Sequence, residues 1–247
     1  MTAIKAPFSE PPAENSAAGK TVIITGAGSG IGRPTAVSFN RAGAGRIILL
    51  GRDETKLQET QKLLSAHSSI YSVSVTDEKG LTDIAAALGT KGILVLSAGY
   101  VSTLAPIKEA PTDEWWQSFE TNVKGTMIPS KVFLPTANPE RAAIIGITSA
   151  LLTLPAETTA TASAYFTSKL AVVKFTEYLA AENPTVFLLQ PYTQELSTPL
   201  SSENPEAIRR DFPWIHEADF LRGRHVWANW DVQELKTKAE NIKSTCC

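Results

Sequence analysis

Cysteine, histidine and methionine are nearly missing from this chain, at 2, 3 and 2 of 247 residues. Both cysteines, Cys246 and Cys247, are adjacent at the end, where neighbours form only strained disulfides and cannot staple a core. A reducing, cytoplasmic setting is therefore expected. A terminal Cys-Cys pair can accept a prenyl group, but stable anchoring wants a second, polybasic signal that is absent, so residues 241–247 read as an unstructured tail, with modification of its cysteines left open. No His, Cys and carboxylate cluster has the spacing of a metal site. No apolar run approaches the roughly 20 residues of a membrane helix. Charge of one sign is lacking too: 23 basic residues face 25 acidic ones, for a net charge of −2. That balance excludes general attraction to nucleic acid or anionic membranes. No repeat of solenoid period is visible. Residues Met1 to Lys20 are rich in Ala, Pro, Ser and Glu and have no hydrophobic block of the secretory kind. They read as a mobile arm over residues 1–19, ending where the first strand begins.

What is present is apolar bulk, 43% of residues, arranged in alternating patterns. Short β-branched runs occupy Thr21–Thr25, Arg46–Leu50, Ile70–Val75, Ile93–Ser97, Ala143–Thr148 and Val186–Gln190. Between and after them, helical spacing covers Ile31–Ala42, Glu54–Ser65, Leu81–Leu88, Thr112–Leu134, Ala164–Glu182 and Glu206–Phe220. Unbroken runs such as Ile47-Ile48-Leu49-Leu50 imply strands covered on both faces, as in a parallel sheet. The fold class is α/β: a single domain over residues 20–240, built on a Rossmann-type doubly wound parallel sheet. Its ligand crevice should lie beyond the strand C-termini.

Directly after the first strand comes Thr25-Gly26-Ala27-Gly28-Ser29-Gly30-Ile31-Gly32. Glycines at 26, 30 and 32 permit a tight turn and close approach of a phosphate to backbone N–H groups, with a helix directing its positive end at the same place. Further on, Tyr165-Phe166-Thr167-Ser168-Lys169 sets a phenol and an ammonium four residues apart on one helix face. Free tyrosine titrates near 10; a fixed positive charge lowers that value and makes proton transfer practicable. The strand Ala143–Ser149 ends in a hydroxyl, Ser149, where it can face the crevice and bond a substrate oxygen. Asn122-Val123-Lys124-Gly125 follows Trp116 on a helical segment.

The glycine spacing and the ordered set Asn122, Ser149, Tyr165 and Lys169 resemble the short-chain dehydrogenase/reductase family across most of the chain. The resemblance implies an oxidoreductase. Tyr165 would protonate the oxygen or nitrogen that gains charge as hydride arrives. Lys169 would lower the tyrosine pKa and hold the nicotinamide ribose, Ser149 would polarise the substrate, and Asn122 would support the site backbone and a water path. The cofactor would be cradled by Gly26, Gly28, Ser29, Gly30, Ile31 and Gly32. Further contacts are expected from Arg52, from Ser74 and Val75 near the adenine, from Ala98 and Gly99, and from Tyr165, Lys169 and Pro191. At the end of the second strand an NAD enzyme usually places a carboxylate, and by resemblance that position is Gly51. Arg52 beside it offers a planar charged fork that matches a 2′-phosphate. Asp53 reads as the N-cap of the next helix. The expected cofactor is NADP(H).

Several positions depart from the family pattern. Leu96-Ser97-Ala98-Gly99 stands where Asn-Asn-Ala-Gly is common, Ser74 replaces an acidic residue, and Ser29 occupies a position that is often basic in NADPH users. Pro191-Tyr192 replaces Pro-Gly, and a threonine expected soon after is displaced to Thr198. The stretch from Phe220 to Val232 resembles a fungal branch of the family serving secondary metabolism, some of whose members perform cyclisations. Trp227, Trp230 and His225, the last on a short strand, read as structural. The pocket should be walled by residues 100–104, 150–162 and 192–214, with Leu151, Leu152, Leu154, Tyr192, Phe212 and Trp214. Ser149, Leu151, Tyr165, Tyr192 and Trp214 are the substrate contacts expected for a bulky, mostly apolar small molecule. Ser197–Pro205 reads either as a lid or as an ordinary surface loop. A cofactor-dependent cyclase or isomerase and a cofactor-sensing regulator stay open beside the reductase, although a regulator should have lost Tyr165 or Lys169. Family resemblance favours a homodimer or homotetramer through the Thr112–Leu134 and Ala164–Glu182 helices.

Overall fold

The computed structural model describes residues 17–90, 92–138, 142–149, 152, 154–193 and 224–227; of 189–193 and 224–227 it describes the backbone alone. The expected helix 206–220, the loop 197–205, Thr198, Leu151, Phe212, Trp214, Trp230 and the tail 241–247 lie outside the described residues.

Strands form where β-branched and leucine-rich runs occur, because such side chains pack well on a pleated surface covered on both faces. They are β1 (Thr21–Thr25), β2 (Arg46–Gly51), β3 (Ser68–Ser72), β4 (Ile93–Leu96), β5 (Ala143–Gly146), β6 (Thr148–Ser149), β7 (Phe187–Thr193) and β8 (Arg224–Trp227). All pair in parallel, in the order β3-β2-β1-β4-β5-β7-β8. The short β6 pairs with β7 on the register of β5: Ala143 faces Phe187 and Thr148 faces Tyr192. It therefore continues β5 past an interruption at Ile147. The expected third strand, Ile70–Val75, starts and ends earlier. Val73 still joins the sheet edge through its N–H to the Gly51 carbonyl, at 2.8 Å.

Among the described residues six α-helices flank the sheet: α1 (Gly32–Arg41), α2 (Glu54–Gln61), α3 (Glu78–Leu88), α4 (Thr112–Phe119), α5 (Gly125–Phe133) and α6 (Ser163–Glu182). The expected single helix Thr112–Leu134 is instead α4 and α5 joined by a π-helical turn, Glu120–Lys124. Asp53 caps α2 as expected, its side chain accepting the Lys56 N–H at 3.1 Å. Period-two alternation sorts the strand residues into two core layers. Val22, Ile24, Ile47, Leu49 and Val95 pack with Ala36, Phe39 and Leu57 on one face. Ile23, Ile48, Leu50, Leu94 and Ile144 pack with Leu81, Ile128, Phe133 and Leu179 on the other.

Ala17 to Gly19, expected to belong to a mobile arm, are docked. Ala17 is buried in the first core layer and donates its N–H to the Ala42 carbonyl at 2.8 Å. Ala18 bridges Ala44, and Gly19 turns the chain into β1 at φ 72°. The sheet order reverses at β1, with β2 on one side and β4 on the other, which opens a crevice beyond the carboxyl ends of these strands.

Candidate active site

A crevice of about 540 Å³ lies there, within the size range of small-molecule sites. Its floor at one end is the turn between β1 and α1. Gly26 and Gly30 adopt φ of +66° and +52°, which side chains disfavour. A Cβ on Gly26 would stand 2.8 Å from the Ala98 Cα, and one on Gly32 would run into the Gly26 carbonyl oxygen. The glycines thus let three backbone segments approach one another. Gly26, Gly28, Ser29, Gly30 and Ile31 face the crevice, whereas Gly32 acts by packing behind it. The first turn of α1 carries no acidic residue and no side-chain cap, so nothing on the helix opposes an anion there.

Residues not anticipated from the sequence hold this turn in place. Thr60, on α2, donates its hydroxyl to the Ala27 carbonyl at 2.9 Å. Arg33 donates to the Gly28 carbonyl at 2.7 Å, to Glu59 at 2.7 Å and to the Thr60 hydroxyl at 3.1 Å. Thr25 accepts the Ser97 and Ala98 N–H groups at 3.0 and 3.1 Å, joining the end of β1 to the loop after β4. One signal was available: a cation opposes the positive end of a helix, so Arg33 in the first turn of α1 had to be engaged elsewhere.

Along the crevice, Gly51 ends β2 and Arg52 follows it, Ser74 and Val75 follow β3, and Ala98 and Gly99 follow β4, all at the crevice surface. The Arg52 side chain is exposed, and no described residue pairs with it. Lys56, not among the expected contacts, also faces the crevice.

At the opposite end stand Tyr165 and Lys169, both buried on α6 and both at the crevice surface. The Lys169 ammonium donates to the Ile147 carbonyl at 2.9 Å and lies 5.8 Å from the Tyr165 ring centre. Burial pushes the phenol up to about 12 and brings the lysine down to about 8. This corrects the expectation of a phenol acidified by its neighbour: desolvation dominates both groups, and the ammonium bonds a carbonyl instead of the hydroxyl. The phenol therefore stays protonated at neutral pH, while the lysine titrates close to it.

Asn122 sits on the π-helical turn, 1% exposed, and does not face the crevice. Its amide accepts the Tyr100 N–H at 2.8 Å and donates to the Tyr100 carbonyl and the Ser168 hydroxyl, each at 2.9 Å. These bonds tie the Tyr100 backbone to α6. Ser149 ends β6 but is buried and does not line this crevice, where a crevice-facing hydroxyl was expected. Pro191 and Tyr192 lie on β7, with side chains outside the described set. Tyr100, at the crevice surface, donates its hydroxyl to Glu114 at 3.3 Å.

Residues 20–191 match the family described as short chain dehydrogenase. The chain is 34% identical to a short chain dehydrogenase of Monascus purpureus, covering 91% of this chain and 85% of that one. Its identity to a short chain dehydrogenase of Emericella variicolor is 31%, over 91% and 86%. Among solved structures, a protein described as a short chain dehydrogenase from Pseudomonas syringae superimposes with a TM-score of 0.78 at 22% identity, over 90% of this chain and 99% of that one. Another from Escherichia coli, complexed with NADPH, gives 0.74 at 21% identity, over 89% and 100%. Both likenesses bear on the fold.

Two outcomes follow from this geometry. Thr60→Val removes a buried hydroxyl that serves both Ala27 and Arg33, and should cost about 1–3 kcal/mol in urea unfolding. Nucleotide affinity, read by fluorescence titration, should fall several-fold because the turn loosens. For Lys169, the folded pKa of about 8 lies below the unfolded 10.5, so the unfolded state binds more protons between those values. The wild type therefore gains stability as pH rises through that window. Lys169→Met lacks this response, so its stability relative to wild type should drop by roughly 2–3 kcal/mol from pH 7 to 10. A pH-independent difference would contradict it.

Proposed function

This chain belongs to the short chain dehydrogenase family, an oxidoreductase family that uses NAD(P)(H), and from that footing we propose that it is an NADPH-dependent reductase. It delivers hydride to a carbonyl or imine carbon of a bulky, mostly apolar small molecule, in the secondary metabolism of a fungus. The observation that carries the reading is the placement of Tyr165 and Lys169 on one crevice with the glycine turn.

The residues fit a dinucleotide. The turn presents backbone to a diphosphate, Ser74 and Val75 stand at the adenine end, and Ala98 and Gly99 leave space along the middle. A Cβ on Gly99 would meet only Asn122 and Lys169, at 3.6 and 3.9 Å. NADP(H) is favoured over NAD(H) because no side chain at Gly51 competes for the ribose, Asp53 is engaged as a helix cap, and the Arg52 fork is exposed at the crevice. The NADPH bound by the Escherichia coli relative agrees with this.

When bound, NADPH supplies the hydride; the protein supplies position and a proton. Tyr165 holds that proton on its hydroxyl at neutral pH and gives it to the substrate oxygen as negative charge develops there, an oxygen far more basic than the phenolate left behind. Lys169 stabilises that phenolate in surroundings where burial strengthens the interaction. Asn122 keeps Tyr100 and α6 in register.

Apolar substrate is supported by the rim. Val101, at the crevice surface, is exposed, and the flanking segments expose Leu104, Ile107 and Leu154. The Ala105 N–H bonds the Thr161 carbonyl at 2.9 Å, tying these two segments together. Assembly as a homodimer or homotetramer through α4, α5 and α6 is supported by exposed Trp116 on α4 and by Leu170 and Tyr178 on α6. Light scattering should report two or four chains; a monomer at micromolar concentration would refute this.

The central test is stoichiometric NADPH oxidation against polycyclic and small charged ketones. Polycyclic ketones should turn over faster, and NADPH should be consumed one for one with alcohol. Tyr165→Phe should lose about 10²–10⁴-fold in kcat while its NADPH affinity stays within twofold. Retained activity in that variant, or product without NADPH loss, would overturn the reductase reading.

A further inference from the structure

Between β4 and α4 the chain makes a loop that walls the crevice, and ties to three other segments hold it. At its root, Asn122 bonds both backbone groups of Tyr100. At its far side, the Ala105 N–H bonds the Thr161 carbonyl. Midway, the Thr103 N–H donates to the Glu114 carboxylate at 2.7 Å, and the Tyr100 hydroxyl donates to the same oxygen at 3.3 Å. Tyr100 and Val101, both within this third tie, stand at the crevice surface, whereas Glu114 itself does not line the crevice. Nothing in the sequence reading singled Glu114 out.

Two ordinary reasons for such a carboxylate fall short. Glu114 lies in the first turn of α4, where the helix favours an anion, but Asp113 beside it already meets that preference. Nor does it rescue a buried group: Thr103 is exposed, and water would take its N–H at little cost. What the carboxylate adds is shape, because one oxygen holding both donors closes the chain from Tyr100 to Thr103 around it. Bonds from Thr103, ahead of the bond from the phenol, bring the Glu114 carboxyl below its ordinary pKa. Burial, ahead of the carboxylate's charge, raises the Tyr100 phenol. At neutral pH the pair is therefore an anion and a proton donor. The next residue, Trp115, donates its indole N–H at 3.1 Å to the hydroxyl of Ser163, which begins α6 just before Tyr165. Adjacent residues of one helical turn thus hold two walls of the crevice.

We propose that Glu114 is a positioning residue that sets substrate selectivity: by buckling the loop after β4 onto α4, it holds Tyr100 and Val101 as an ordered wall against which a bulky substrate packs. A wall that is already ordered spares the incoming molecule the entropy of ordering it. A substrate too small to reach the loop gains nothing from the buckle. The proposal deepens the reductase reading above and rests on it.

Its test compares the intact wild type with Glu114→Ala and Glu114→Gln, using NADPH with a polycyclic ketone and with a small acyclic one. Glu114→Ala should raise KM for the polycyclic ketone about five- to tenfold, the worth of one charge-assisted hydrogen bond, with kcat within about twofold. KM for the small ketone, and NADPH affinity by fluorescence titration, should stay within about twofold. Glutamine keeps an oxygen able to accept both donors, so Glu114→Gln should return KM to within about threefold of wild type. Hydrogen exchange of the Thr103 amide should quicken about tenfold in Glu114→Ala and much less in Glu114→Gln. Equal rises in KM for both ketones, or a loss that glutamine fails to restore, would overturn the proposal while leaving the reductase reading in place. A wild type that consumes no NADPH with either ketone would refute the reductase reading, and the proposal with it. An unchanged melting temperature in Glu114→Ala excludes misfolding as the cause of its rise in KM.

Discussion

One side-chain amide joins the parts of the molecule that must act together. Asn122 bonds both backbone groups of Tyr100, in the loop leaving β4, and also the Ser168 hydroxyl on α6. That hydroxyl in turn donates to the Tyr165 carbonyl at 2.7 Å. The loop that borders the cofactor crevice and the helix that carries the phenol are therefore linked through two buried side chains. The π-helical turn belongs to the same device. One extra residue per turn redirects side chains relative to a regular helix, which is why such turns recur at functional sites. Each buried group that this amide satisfies would cost about 1–3 kcal/mol if left without its partner, so the network is strongly specified.

The interruption between β5 and β6 connects to this arrangement. Ile147 leaves the ladder with β7, though its N–H still bonds Leu96 at 3.2 Å, and its carbonyl receives the Lys169 ammonium. A lysine that is buried, with its pKa brought to about 8, is a burden on folding that a carbonyl only partly relieves. Retaining it makes sense only if a cation beside the phenol is needed once negative charge develops there. Resting and reacting states thus ask different things of the same pair. At rest, desolvation keeps the phenol protonated and loosens the proton on the lysine. In the proposed proton transfer, the same low-dielectric surroundings would make the ammonium a stronger support for phenolate than water is.

The alternation of strands and helices, the glycine turn and the Tyr165–Lys169 spacing were legible because each is written in local residue order. Ile47 to Leu50 announce a doubly covered strand, and two residues four apart on a helix share a face wherever that helix goes. What escaped notice depends on partners distant in sequence. Thr60 lies 33 residues from the Ala27 carbonyl it holds, and Thr25 lies 72 from Ser97. Nothing local marks a threonine as a brace for a distant turn. Ala17 looked like arm because alanine among polar residues carries no strand pattern, yet it docks through one backbone bond and the core beneath. The tyrosine's acidity follows the same logic. A neighbouring charge is visible in sequence spacing, whereas burial is a property of the whole fold, and here burial is the larger effect.

The crevice is electrostatically two places. At the glycine end the basic groups are exposed: Arg52 stands in solvent, and Lys56 pairs, among the described residues, with an exposed carboxylate. Charges so placed are screened by salt and individually weak, which suits recognition that must be reversible. At the α6 end the two titratable groups are buried and shifted, conditions under which a proton's position changes energies strongly. The sheet makes the division possible. Its strands end on one edge but carry different flanking segments, so the β2–α2 side can remain wet while the β5, β6 and α6 side is covered. A dinucleotide lying across the switch point would have its phosphates in the first environment and its reactive ring in the second. That separation, more than any single residue, would let one crevice bind a charged molecule and still keep a dry place for the proposed hydride and proton transfer.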